Sequence, residues 1–222
     1  FYLDFLSNDN HKEYIKTHDC GTCSEMIAEA YQGFEMMTTL STACSSAANA
    51  IQIGMELIQS GRCDAAVVGG SECITKFHLN GFNTLMILDK EQCRPFDQTR
   101  AGINLGEGAG YLVIESEDSV KRRGIKPLCI LSSCANRCDA FHQTASSPNG
   151  EGAFLAMTDA LREAGLQPSD IDYVNAHGTG TQGNDLSEGN ALMRVFGDKM
   201  PPVASIKSYI GHTTSAAGGV EG

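Results

Sequence analysis

Thr42-Ala43-Cys44-Ser45-Ser46 joins two runs of different character. Before it, Met36-Met37-Thr38-Thr39-Leu40 is short, apolar and β-branched, the pattern of a strand. After it, from Ala47 to Ile58, apolar residues occupy nearly every face, which predicts a buried helix. Cys44 is thus expected at a strand-to-helix turn, on or just before the first helical turn. Unpaired N–H groups and the partial positive charge at a helix start favour thiolate over thiol, so a cysteine placed there is open to activation. The small neighbours Ala43, Ser45 and Ser46 leave room for a substrate. On this pentapeptide alone, an inert buried cysteine is an equal reading.

Strands and helices alternate outward from this point. Helical spacing runs from Ser24 to Phe34, whereas residues 1–19 are polar, weakly periodic and expected at the surface. Gly61 should cap the Cys44 helix. Asp64-Ala65-Ala66-Val67-Val68-Gly69-Gly70 predicts a fully buried strand. The stretch from Phe77 to Leu88 is mixed, with a turn at Gly81-Phe82. Cys93 to Asp97 and the glycine-rich Ala101 to Gly110 predict loops. Further strands are predicted at 111–115, 128–132, 171–176 and 202–206. Helices are predicted at 118–123, at 153–164 and from a cap at Asp185 through Phe196. This alternation predicts an α/β fold with a largely parallel sheet.

Composition narrows the function. With 41% hydrophobic and 19% charged residues, the chain can bury a core and is not disordered. A net charge of −11 argues against non-specific nucleic-acid binding, which needs a basic face. The nine cysteines are odd in number and lack a disulfide rhythm, and no signal peptide or membrane-length apolar run is present, so a reducing, cytoplasmic setting is expected. Cys20-Gly21-Thr22-Cys23 with His18, Cys134, Cys138 and His142 could compose a zinc site, but without a second CxxC no metal is expected. The chain opens on Phe1 and stops at Gly222, and is expected to be part of a longer protein.

Two further strand ends carry chemistry. His177-Gly178-Thr179-Gly180-Thr181 follows directly on Tyr173-Val174-Asn175-Ala176, and ligands gather at the carboxyl ends of strands in α/β sheets. Lys207 and His212, in Ser205-Ile206-Lys207-Ser208-Tyr209-Ile210-Gly211-His212, repeat the situation. Each alone could be a turn histidine or a solvated lysine. Cys, His and Lys/His at three strand ends of one chain form a candidate active site.

In order and spacing, TACSS, VVGGSE, CRPFD with GEGAG, VNAHGTGT, SIKSYIGH and AAGGVE resemble the elongating β-ketoacyl-acyl-carrier-protein synthases, over essentially all of residues 20–222. The resemblance implies a thiolase-like α/β fold, two similar halves in five layers. Residues 1–115 would be the C-terminal part of the first half and 116–222 most of the second, with the family's opening ~100 residues and its C-terminal strands outside this chain. It implies Cys44 as the acyl acceptor and His177 and His212 as donors to the malonyl thioester, with Lys207 polarising the site. Thr179 and Thr181 would hold the phosphopantetheine arm and Phe82 would line the acyl pocket. Asn175 and Glu221 would stand behind them near a monovalent cation. The partners implied are an acyl carrier protein, which brings the phosphopantetheine, and a second ketosynthase-like subunit in a homodimer or heterodimer. No cofactor of the chain's own, no nucleic acid and no membrane are expected.

Two histidines, rather than His and Asn, point to the decarboxylating elongation branch. Ala101-Gly102-Ile103 departs from the family's usual charged-Gly-aromatic sequence, which leaves fatty-acid, polyketide and aryl-polyene substrates open. The competing readings are a catalytically inactive partner subunit (a chain-length factor), a cysteine hydrolase and a zinc module. The first usually lacks the nucleophile, and the second has no use for a carrier-arm site.

Overall fold

The computed structural model describes residue 7 and residues 19–222. The surface segment predicted at the N-terminus, with His18, otherwise lies outside the described residues. Two units are present, one ending at Thr42 and one running from Ala43 to Gly222. In the first, helix α1 spans Thr22–Tyr31, close to the predicted helix. Residues 36–40 carry no strand, contrary to expectation; Met36 and Met37 are half exposed and no ladder satisfies the backbone there.

The second unit opens with a 3₁₀ turn, Ala43–Ser45, running directly into α2, Ser46–Gln59. Only Ser46, Ala47, Ile51 and Gly54 of α2 are buried, so the helix is one-sided rather than enclosed. Gly61 follows with a left-handed backbone (φ 69°), and Arg62 N–H reaches back to Leu57 O at 2.9 Å, closing the helix as predicted. Strand β1, Ala65–Glu72, pairs with β2, Gly108–Glu115, in an antiparallel ladder from Ala65 opposite Glu115 to Glu72 opposite Gly108. Val67, Tyr111 and Val113 are exposed, so β1 is not the fully buried strand expected.

Between β1 and β2, helix α3 (Lys76–Thr84) runs straight through the predicted Gly81-Phe82 turn, and the Thr75 hydroxyl accepts the His78 N–H at its start. Helix α4, Glu117–Arg123, follows β2 with Ser116 as its side-chain cap and ends at left-handed Gly124. No strand forms at 128–132, where Leu128 and Ile130 are almost fully exposed. Cys134, Cys138 and His142 lie in irregular backbone, so their helical spacing has no helix to act on.

Helix α5, Glu151–Ala164, packs beside α6, Gln182–Phe196. Two two-residue strands, β3 (Val174–Asn175) and β4 (Val203–Ala204), pair in parallel. The described strands thus form two separate two-stranded sheets, the longer antiparallel and the shorter parallel, rather than one largely parallel sheet. Helix α6 begins at Gln182, so Asp185 sits inside its first turn rather than capping it. Lys207 opens a short helix, α7 (Lys207–Ile210), and a 3₁₀ turn Thr214–Ala216 leads into α8, Ala217–Val220. Ala47, Ile51, Val68, Ala216 and Ala217 are buried where α2, β1 and the 214–220 segment pack together.

Candidate active site

Cys44 lies in the 3₁₀ turn at the start of α2, half-buried. Ala43 before it holds a left-handed backbone (φ 54°), a strained conformation for a residue with a Cβ. The Ser46 hydroxyl secures the turn by donating to Ala43 O at 2.7 Å. The Ala216-Ala217-Gly218-Gly219 segment packs against this helix start. A Cβ on Gly218 would lie 2.6 Å from Ala48 N, so only glycine permits the approach. Burial pushes the Cys44 thiol above its ordinary range. The Lys207 charge and the Cys44 backbone pull the other way, while Glu221 and Glu72 add to the rise. The helix start therefore does not by itself produce the low-pKa thiolate that the sequence suggested.

His212 Nε2 lies 2.9 Å from Cys44 Sγ. The Thr214 backbone N–H donates to His212 Nδ1 at 3.2 Å. An Nδ1 that accepts leaves the proton of a neutral imidazole on Nε2, so His212 presents an N–H to the sulfur. Thr214 is fixed in turn by Glu72 at the end of β1, which accepts from the Thr214 hydroxyl at 2.6 Å and the Ser215 hydroxyl at 2.7 Å. Burial alone would raise the Glu72 carboxyl, but these hydrogen bonds bring it below its ordinary value. The His212 ring stands edge-on to that of His177, centroids 5.1 Å apart. Burial, then each histidine's charged neighbours, lowers His177 to about 4 and His212 to about 3, so both are neutral at pH 7.

The His177–Thr181 loop is held by two carboxylates of α6. Glu188 accepts the His177 and Gly178 N–H groups at 2.7 and 2.8 Å. Asp185 accepts from Phe96 N–H at 2.7 Å and Gly180 N–H at 3.2 Å, with Arg100 Nε 3.7 Å away. Burial raises the Glu188 carboxyl, against the pull of its two N–H donors. Glu188 escaped the sequence reading because it looks like part of a polar helix face. Its signal was two acids three apart at a helix start, behind a glycine-rich loop whose N–H groups need acceptors.

Lys207 is fully buried, and its ammonium pairs with the Glu221 carboxylate. Thr179 and Thr181 turn their hydroxyls toward each other, 2.8 Å apart. Phe82 is half-buried on α3. Asn175 is exposed on β3, and the Glu221 carboxylate is the partner of Lys207. The donor atoms of Cys44, His177 and His212 all lie within 4.8 Å of one another, and among the described residues no group of this kind is built on Cys134 or Cys138. The site thus joins one nucleophile, two neutral N–H-bearing rings and a buried cation. It can take up an acyl group and stabilise negative charge on an oxygen beside it.

The chain matches two family models, described as the N-terminal domain of beta-ketoacyl synthase over residues 15–119 and its C-terminal domain over residues 128–222. It is 40% identical over 209 residues to a 3-oxoacyl-[acyl-carrier-protein] synthase 2 of Mycobacterium tuberculosis, covering 90% of this chain and 50% of that protein. The solved structure of the ishigamide ketosynthase/chain length factor superposes with TM-score 0.88 at 36% identity, over 91% of this chain and 50% of that one. A second, of a type II PKS acyl-carrier protein in complex with its ketosynthase, gives TM-score 0.89 at 30% identity, over 96% of this chain and 54% of that one. The chain spans about half the length of the curated relatives it matches. Its α/β fold is the thiolase-like fold of these structures.

Proposed function

The chain belongs to the β-ketoacyl synthase family, and from that premise we propose that it carries the reacting residues of a 3-oxoacyl-acyl-carrier-protein synthase. The observation that carries this reading is Cys44 Sγ held 2.9 Å from an Nε2–H of His212, with a second neutral histidine beside it. The Cys44 sulfur attacks the carbonyl of an acyl thioester on an acyl carrier protein, its proton passes to the departing carrier sulfur, and the carrier leaves as a thiol. A malonyl carrier protein then binds, its phosphopantetheine arm along Thr179 and Thr181. The malonyl carboxylate departs as CO₂ and its electron pair becomes an enolate, whose oxygen accepts from His177 and His212. The enolate carbon attacks the Cys44 thioester, the new C–C bond forms, the C–S bond breaks and the Cys44 thiolate returns. The product is a 3-oxoacyl carrier protein two carbons longer.

Neutral histidines suit this chemistry, since the step needs donors to an oxyanion and no proton acceptor. Lys207 adds fixed positive charge from a buried position, oriented by Glu221. In this reading Phe82 lines the acyl pocket, and Asn175 and Glu221 stand behind the reacting residues near a monovalent cation. The phosphopantetheine belongs to the carrier protein, a reading supported by analogy with the solved ketosynthase in complex with its acyl-carrier protein. Residues 1–115 are taken as the end of the first thiolase-like half and 116–222 as most of the second, a division a few residues before the junction of the two matched models, which lies between 119 and 128. No helix among the described residues is long and apolar enough to cross a membrane, in keeping with a cytoplasmic enzyme. A homodimer or a heterodimer with a ketosynthase-like subunit is the assembly proposed. The inactive-partner reading is disfavoured by an intact Cys44 in contact with His212.

The deciding experiment treats the full-length protein with an acyl carrier protein and, separately, a thiol-reactive epoxide, and maps the adducts by mass spectrometry. Modification of Cys44 alone among nine cysteines, with loss of acylation and condensation in Cys44→Ala, is the expected result. Equal labelling of several cysteines, or an unlabelled Cys44 in an active enzyme, would overturn it.

A further inference from the structure

Neither Cys93 nor Asn104 touches the reacting atoms, yet between them they meet every segment that carries those atoms except Cys44. Cys93 is 1% exposed and its Sγ–H donates to the Lys207 carbonyl at 3.2 Å. It also lies under the histidine loop, because a Cβ on Gly180 would fall 3.3 Å from Cys93 Cβ. Asn104 works in three directions. Its backbone carbonyl accepts the His212 N–H at 2.7 Å. Its Oδ1 accepts the Cys93 N–H at 2.7 Å, and its Nδ2 donates to Glu91 O at 2.9 Å and Asp89 O at 3.2 Å. The neighbouring backbone continues the brace, with Leu105 bridging to His212 and Gly106 N–H bonding His212 O at 3.0 Å.

We infer that Cys93 and Asn104 are positioning residues that set where Lys207 and His212 stand relative to Cys44. Helix α7 has a single turn and β4 two residues, too little regular structure to fix Lys207 and His212 by backbone hydrogen bonds of its own. The loop from 89 to 106 supplies those bonds from outside. One buried thiol and one amide side chain hold that loop in shape, and all of the Asn104 amide's observed bonds go to backbone groups. Removing the Asn104 amide leaves the Cys93 N–H without its acceptor, and removing the Cys93 thiol takes away the loop's own hold on the Lys207 carbonyl, which then keeps only the Gly211 N–H, so the loop rearranges. Lys207 and His212 would then move together, because the same loop touches both.

The inference rests on the condensation reading for its kinetic arm but not for its chemical one. Three variants of the full-length protein, Cys93→Ala, Cys93→Ser and Asn104→Ala, are compared with wild type by two measurements. One is the pH midpoint of Cys44 alkylation by iodoacetamide, mapped by mass spectrometry. The other is kcat and KM for condensation of acyl and malonyl carrier proteins. Cys93→Ala and Asn104→Ala are expected to raise the alkylation midpoint, as the Lys207 charge and the His212 donor retreat from the sulfur. They are expected to lower kcat by about threefold to tenfold with KM unchanged. Cys93→Ser, whose hydroxyl still donates to Lys207 O, is expected to restore both. A mere loss of folded protein would reduce amplitudes and leave the midpoint in place. The inference is overturned if Ser and Ala at position 93 behave alike, or if Asn104→Ala leaves the midpoint at its wild-type value. If Asn104→Ala does not fold, the Cys93 pair decides. If wild type performs no condensation, the functional reading fails while the alkylation midpoints still decide the positioning.

Discussion

Cys44 and the group formed by His177, Lys207 and His212 face one another, but the chain holds them by different means. Cys44 sits in a 3₁₀ turn that runs straight into a fourteen-residue helix, packed on β1 and on the Ala216–Gly219 segment. Its position follows from helix geometry and from small residues that allow close packing. The other three side chains come from a glycine-rich loop, a one-turn helix and an extended residue. Their positions follow from side chains that capture backbone groups: Glu188 and Asp185 for the histidine loop, Glu72 for Thr214 and so for His212, Asn104 and Cys93 for the Lys207–His212 segment. One region is built from periodicity, the other from individual hydrogen bonds.

Substitutions should expose that contrast. Cys44→Ala is expected to abolish acylation and to cost at least about a thousandfold in condensation, read by carrier-protein loading and product formation. His212→Ala is expected to lower condensation by about 10²–10³-fold while Cys44 can still be alkylated, which separates the two regions directly. Glu188→Gln keeps size but offers one acceptor where two N–H groups need one each. It is expected to cost about 1–3 kcal/mol in denaturant unfolding and to slow condensation more than acylation. Ile51→Val, on the buried face of α2, is expected to cost about 0.5–1.5 kcal/mol and to leave the ratio of acylation to condensation unchanged. If Ile51→Val moves that ratio as much as Glu188→Gln does, the contrast between the regions is lost.

Acid acts on the second region alone. Both histidines are lowered from 6.5, His177 to about 4 and His212 to about 3. The unfolded chain therefore takes up protons first as the pH falls. The stability held by the neutral pair is complete above pH 6.5 and is lost as the pH drops toward 4 and then 3. Unfolding midpoints measured across that window should fall for wild type and fall less steeply for a His177→Gln variant, in which His212 alone remains.

The sequence disclosed the first region more fully than the second. The helix after Cys44 and its closing glycine follow from spacing and from one residue's backbone freedom, both local properties. Cys44, His177, Lys207 and His212 were marked by where they stood against apolar runs and by the motif order. Strands were over-read at 36–40 and 128–132, because β-branched and apolar residues describe a surface that suits a sheet without supplying a partner strand. The Gly81-Phe82 turn failed for the opposite reason, since a single glycine is tolerated inside a helix. Asn104 and Cys93 left no local mark, because their roles depend on backbone groups far away in the chain; Cys93 and Lys207, 114 residues apart, are the plainest case.

The hydrogen bond from Thr214 to His212 Nδ1 has a consequence for time rather than rate. With that lone pair engaged and the other nitrogen carrying its proton, the imidazole has nothing with which to take a proton from water. In the proposed reaction, an acyl group on Cys44 would sit beside a ring that cannot turn a stray water molecule into hydroxide. On the proposed reaction, such a thioester would meet no base in His212 while it waits for its second substrate.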